Sequence, residues 1–243
     1  MRKTSALLGL LAAAALTLPA APAFGAAPAK AAFLAPDTDC TSSLGAVTVP
    51  GKLVVPNGAT CTLIGTVVLG GVEVRIDSTL NASGVSVAAG VLASQHRLVS
   101  ITANSTVQGS IKAVKGGGVT VTDSSAFGGL EITENTARPG LTRAVSDNGG
   151  ILVAKNQGGA TVHSSRANAN LMVEENYGGT TSVHSNVAGD NLSVNKNLGG
   201  TDIVNNSSND NINCSDNVPA PTGSGNVGGA DGAGSKTGQC AAL

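Results

Sequence analysis

VTDSSAFGGLEITEN (121–135), TRAVSDNGGILVAKN (142–156), VHSSRANANLMVEEN (162–176), VHSNVAGDNLSVNKN (183–197) and IVNNSSNDNINCSDN (203–217) are five versions of one block. Cut at Val121, Thr142, Val162, Val183 and Ile203, the blocks have equal length and each ends on Asn: Asn135, Asn156, Asn176, Asn197 and Asn217. Five places before that Asn stands Leu or Ile (Leu130, Ile151, Leu171, Leu192, Ile212). Two places later comes a second apolar residue (Ile132, Val153, Val173, Val194, Cys214). Period-2 apolar pairs that recur every 20 to 21 residues predict an all-β, single-stranded parallel β-helix, in which each coil stacks on the last.

The frame extends backwards through the chain. The first apolar position falls on Ile111, Val91, Val72 and Leu53, and its partner on Ala113, Ala93, Val74 and Val55, which makes nine coils of 19–21 residues. The position of the closing Asn becomes Gly116, His96, Asp77 and Gly58. Gly, Asn, Asp and His are the residues most often found at positive φ, so this column is expected to supply one left-handed corner per coil. Stacked Asn at about 4.8 Å can also link amide to amide as a ladder. Just before the corner, Lys115, Glu134, Lys155, Glu175, Lys196 and Asp216 alternate in charge from coil to coil, a pattern that pins the stacking register.

Arg2 and Lys3 precede an apolar run from Ala6 to Leu18 and then small-residue sites such as Ala21-Pro22-Ala23 and Ala27-Pro28-Ala29. Residues 1–29 therefore read as a secretory signal peptide, too short for a membrane span of about 20 residues. Export with no membrane anchor follows. Residues 30–43 are expected to form an N-terminal cap with Phe33 and Leu34, 44–217 the β-helix, and 218–243 a Gly- and Pro-rich tail folded across the last coil. Cys40 lies just before the first coil and Cys61 just before the second, while Cys214 is inward in the last coil and Cys240 ends the tail. Stacking then favours Cys40–Cys61 and Cys214–Cys240, bridges that persist in an oxidising compartment and staple both ends.

Composition removes several function classes. Fourteen Lys and Arg against 15 Asp and Glu, net charge −1, leave no basic footprint for nucleic acid. No Trp, one Tyr and three Phe leave little for aromatic sugar platforms, and loops such as Ser78–Asn81, Gln157–Thr161 and Tyr177–Ser182 are too short to wall a cleft. Asp190 and Asp210 share a column, and Asp123 and Glu131 a block, yet a glycosidase pair needs a pocket at about 5–9 Å separation. His163 and His184 stack, with Asn205 expected next, short of a metal-ligand set. No G-x-S-x-G elbow, phosphate loop or calcium nonapeptide occurs, and no cofactor is implied. Thr120, Thr161, Thr181 and Thr201 do not keep the single column that an ice-binding face requires.

Cys40-Thr-Ser-Ser-Leu-Gly-Ala-Val-Thr-Val, Val55-Pro-Asn-Gly-Ala-Thr-Cys61, the x-V-x-x-N coils and the closing Cys214-Ser-Asp-Asn with its tail to Cys240 resemble the secreted right-handed parallel β-helix repeat proteins of actinobacteria. The resemblance spans essentially the whole exported chain. It implies the fold, its right hand and export, and adds no catalytic residues. The expected function is a secreted, non-enzymatic structural or cell-surface solenoid with weak affinity for cell-wall or extracellular polysaccharide. A carbohydrate-active enzyme and an ice- or surface-binding solenoid stand as alternatives.

Overall fold

A computed structural model describes residues 35–230, 232 and 234–243; the expected signal peptide and the Phe33 and Leu34 of the expected cap lie outside the described residues. All described secondary structure is β, and every pairing is parallel. Each coil contributes strands to three ranks. The first rank stacks Leu53–Val55, Val72–Val74, Val91–Ser94, Ile111–Val114, Leu130–Thr133, Ile151–Ala154, Leu171–Glu174, Leu192–Asn195 and Ile212–Ser215, in that order. All nine expected apolar positions fall in register, from Leu53↔Val72 through Val194↔Cys214.

The stack is about ten turns rather than nine, because both ends continue it. Thr38–Asp39 pairs with Leu53–Val54 ahead of the first expected coil, inside the segment assigned as a cap. At the other end Thr222–Ser224, Val227–Gly228 and Lys236–Gly238 each pair onto the coil before. The tail thus adds a further, degenerate coil instead of folding across the end as a plug. The two bridges are the expected ones, Cys40–Cys61 and Cys214–Cys240, with Cα–Cα distances of 5.4 and 5.1 Å.

The second rank begins earlier than the loops assigned from sequence allow. Thr79–Ser83, Ala160–His163 and Thr181–His184 are strands, so much of each supposed loop belongs to the sheet. The frame of the second repeat block also shifts: Val121 pairs with Leu141, and Leu141 with Val162, so the true equivalent of Val121 is Leu141 and not Thr142. Ser146 pairs with Ala126 and Ala167 in frame, which leaves the extra residue in the turn 147–150 before Ile151.

The core is a narrow column of Val, Leu, Ile and Ala, with Leu53, Leu63, Ile111, Leu141, Leu171 and Ile203 among its fully buried members. Phe127 and Tyr177 both stay half exposed. Small aliphatic side chains suffice because consecutive coils lie only about 4.8 Å apart, so each inward residue packs on its copies above and below.

Candidate functional site

The corner after the first rank departs from expectation in an instructive way. Gly58 and Asp77 have positive φ (71° and 54°), but from the third coil onward the left-handed residue is one place earlier. Gln95, Lys115, Glu134, Lys155, Glu175, Lys196 and Asp216 carry it, at 52° to 58°. His96, Gly116, Asn135, Asn156, Asn176, Asn197 and Asn217 are therefore not the left-handed corners. The charge ladder itself makes the turn, which throws its side chains outward and the next residue inward.

That inward residue explains the Asn. Asn135, Asn156, Asn176 and Asn197 are wholly buried, and each amide is satisfied along the coil axis. The Asn176 Nδ2 donates to the Val153 carbonyl at 3.0 Å and to Asn197 Oδ1 at 3.0 Å, while its own Oδ1 accepts from the N–H and Nδ2 of Asn156 at 3.1 and 2.9 Å. Gln239 ends the ladder: its Oε1 accepts from the Asn217 N–H at 2.9 Å, and its Nε2 donates to the Asn217 carbonyl at 3.1 Å. At the other end Gly116 leaves room that the His96 ring fills; a Cβ on Gly116 would lie 2.3 Å from that ring.

A second buried ladder went unread in the sequence. After the second rank, Asn186, Asn206 and Asn226 repeat the same bonds, with Asn186 Nδ2 on Asn206 Oδ1 and Asn206 Nδ2 on Asn226 Oδ1, both at 2.9 Å. Ser185 and Asn205 before them take the left-handed turn. The signal was there in the fourth place of the repeat, where Ser165, Asn186 and Asn206 follow one another, but it is shorter than the first ladder and mixed with Ser.

Of the acidic pairs, Asp123 and Glu131 lie on different elements, and Asp190 and Asp210 share a column. Asp123 turns the second corner and is held by the Arg143 guanidinium, which keeps its carboxyl below the usual range. Glu131 lies on the first rank and pairs with Lys112 at 2.8 Å. Asp190 and Asp210 stack through a backbone bond of 3.1 Å, Asp210 N–H to the Asp190 carbonyl. Asp123 and Arg143 line a shallow depression of about 270 Å³ with Asn104, Thr106 and Ser125.

His163 and His184 stack as expected, ring centroids 4.7 Å apart and nearly parallel. The next coil offers Val204 in that column rather than Asn205. Ser182 Oγ lies 2.8 Å from His163 Nε2 and 3.1 Å from His184 Nε2, and Asp202 Oδ2 lies 2.8 Å from the same His184 nitrogen. A Ser-His-Asp relay needs the hydroxyl and the carboxylate on opposite ring nitrogens. Here both meet Nε2, so the cluster orders a surface and does not activate Ser182. Burial beside His184 pushes the His163 imidazole below its ordinary pKa. Among the described residues no group of three or more His, Cys, Asp or Glu stands close enough to hold a metal ion.

A long regular surface runs along the outer side of the second rank. Ser43, Thr62, Asn81, Ser100, Thr120, Gly140, Thr161, Ser182, Asp202 and Thr222 form one column in register. Beside it run Thr122, Thr142, His163 and His184. Thr120 and Thr161 thus do share a column, two coils apart across Gly140, whereas Thr181 and Thr201 share an inward one. Comparison with protein-family models, with curated proteins and with solved structures finds no match to this chain, so its function is argued from this surface.

Proposed function

We propose that the chain is a secreted, non-enzymatic β-solenoid that holds an extended polymer, a cell-wall or extracellular polysaccharide, along the outer side of its second rank. The observation that carries this reading is the column from Ser43 to Thr222, whose hydroxyl, amide and carboxylate groups recur in every coil but that of Gly140. A repetitive ligand meets a repetitive array at many equivalent places, and weak single contacts then add through multivalency. Two disulfides favour an oxidising, extracellular setting. The resemblance to exported β-helix repeat proteins belongs to the same reading.

The test is binding of the purified chain to an array of polysaccharides and cell-wall polymers, with reducing-end release followed in the same wells. Binding without release is expected, and Thr120→Lys with Thr122→Lys should abolish it while the fold persists. Released product would favour the carbohydrate-active alternative, and no binding to any polymer would overturn the proposal. The neighbouring Thr120 and Thr122, with Ser100 and Thr142 on adjacent coils and Thr161 two coils on, also favour an ice- or crystal-surface role as a second reading. Thermal hysteresis of the protein solution decides that one.

A further inference from the structure

The charge ladder is under-used within a single chain. Lys115–Glu134, Lys155–Glu175 and Lys196–Glu175 approach only to 4.0, 3.9 and 3.7 Å, whereas Lys52–Glu73 and Lys112–Glu131 close to 2.8 Å. The five ladder residues in the wider pairs keep 41 to 62 % of their side-chain surface in solvent. Two places further along each coil runs a second column, Gly117, Thr136, Gln157, Tyr177, Leu198 and Val218, exposed at every member but the half-buried Gly117. Its last three members are apolar and 42, 48 and 60 % exposed on consecutive coils, and its first three are small or polar. Tyr177 and Leu198 join the ladder in lining a shallow depression of about 650 Å³.

We propose that this edge is the contact between two copies of the chain, packed antiparallel about a two-fold axis that passes between the coils of Lys155 and Glu175. Read from the N-terminus the ladder is + − + − + −, and read backwards it is − + − + − +. Antiparallel pairing therefore sets every charge against its opposite: Lys115 meets Asp216 of the second copy, Glu134 meets Lys196, and Lys155 meets Glu175. A two-fold axis along the solenoid sets like against like. Parallel copies offset by one coil match in sign but leave an open, non-closing contact.

The same antiparallel operation brings Tyr177 to Gln157, Leu198 to Thr136 and Val218 to Gly117. Large apolar side chains then face small or polar ones, and the half of the column that is most costly to leave in water is covered. Charge order fixes the direction of packing, and the apolar half supplies attraction.

Sedimentation equilibrium of the purified chain at low and high salt tests this, with a dimer expected that weakens as salt screens the edge. Carbodiimide, which joins amines to carboxylates in contact, should link Lys115 to Asp216 in that dimer. Within one chain these residues are five coils, roughly 24 Å, apart, so the link arises only between copies. Lys155→Glu should raise the dissociation constant about tenfold, since each dimer holds that contact twice. Combining it with Glu175→Lys should restore the dimer, although within one chain the double swap sets like charges side by side. A monomer at every concentration, a dimer indifferent to Lys155→Glu, or a dimer lacking the Lys115–Asp216 link would overturn the proposal. So would a monomer whose polysaccharide binding fails on Lys155→Glu, which would assign the edge to the polymer.

Discussion

Thr181 and Thr201 share an inward column with Cys61, Leu80, Val99, Val119 and Ala160 among others. Both are buried, and neither hydroxyl has a hydrogen-bond partner. A buried hydroxyl without a partner costs about 1–3 kcal/mol, and Val has the same branched shape without it. Thr181→Val and Thr201→Val are each expected to stabilise the fold by about 1 kcal/mol, read as a higher denaturant midpoint at unchanged slope. An unchanged midpoint would mean that each hydroxyl is satisfied in solution. These Thr also show why the second rank was hard to see in the sequence. Strands whose first inward residue is Ala160, Thr181 or Thr201 open on a small or polar side chain and turn apolar only at Val162, Val183 and Ile203, so their first residues looked like loop. The first rank, with Leu, Ile or Val at nearly every inward place, was legible in all nine coils.

Among the elements, the first Asn ladder has one irregular end, and the irregularity is physical. His96 is almost wholly buried over Gly116, its ring nitrogens unpaired, and the Gly118 N–H that faces it is already engaged with the Arg97 carbonyl at 3.0 Å. Burial lowers its pKa from the ordinary value of 6.5. The unfolded chain then takes up a proton near pH 6.5 that the folded chain resists, so the stabilisation is complete above about pH 6.5 and is lost as pH falls below it. His96→Asn should flatten that loss in thermal melts between pH 7 and 5. Gly116→Asn alone should destabilise, because its Cβ meets the His96 ring, while His96→Asn with Gly116→Asn should fold and extend the ladder by two rungs. Failure of the double variant to recover stability over Gly116→Asn would mean that the ring is not the obstacle. The corner itself was legible only in part. Residue preferences put the left-handed turn on Asn, but Asn is selected for its buried amide, and the turn falls on the charged residue before it. Equal block lengths likewise hid the extra residue in the turn 147–150, since counting alone cannot say where in a coil an insertion sits.

For the whole molecule, the ends decide stability, because each coil contacts only its neighbours and the outermost ones have cover on a single side. The last coil is the poorest: Thr222–Ser224 and Val227–Gly228 are short and largely exposed, and it is tied down by Gln239 on Asn217, by Leu243 against the core, and by Cys214–Cys240. That bridge closes a separation of 26 residues and contributes roughly 2–4 kcal/mol. Cys214→Val with Cys240→Ala removes it while continuing the apolar column above Val194, so the loss is the bridge and not a hole. The expected result is local. Amide exchange should rise through 222–238 and the Asn217 end of the ladder, an apolar dye should begin to bind, and the coils from Leu53 to Asn197 should keep their protection. Uniform loss of protection along the solenoid would instead mean that the coils melt as one unit, and that the bridge holds the whole stack rather than its last turn.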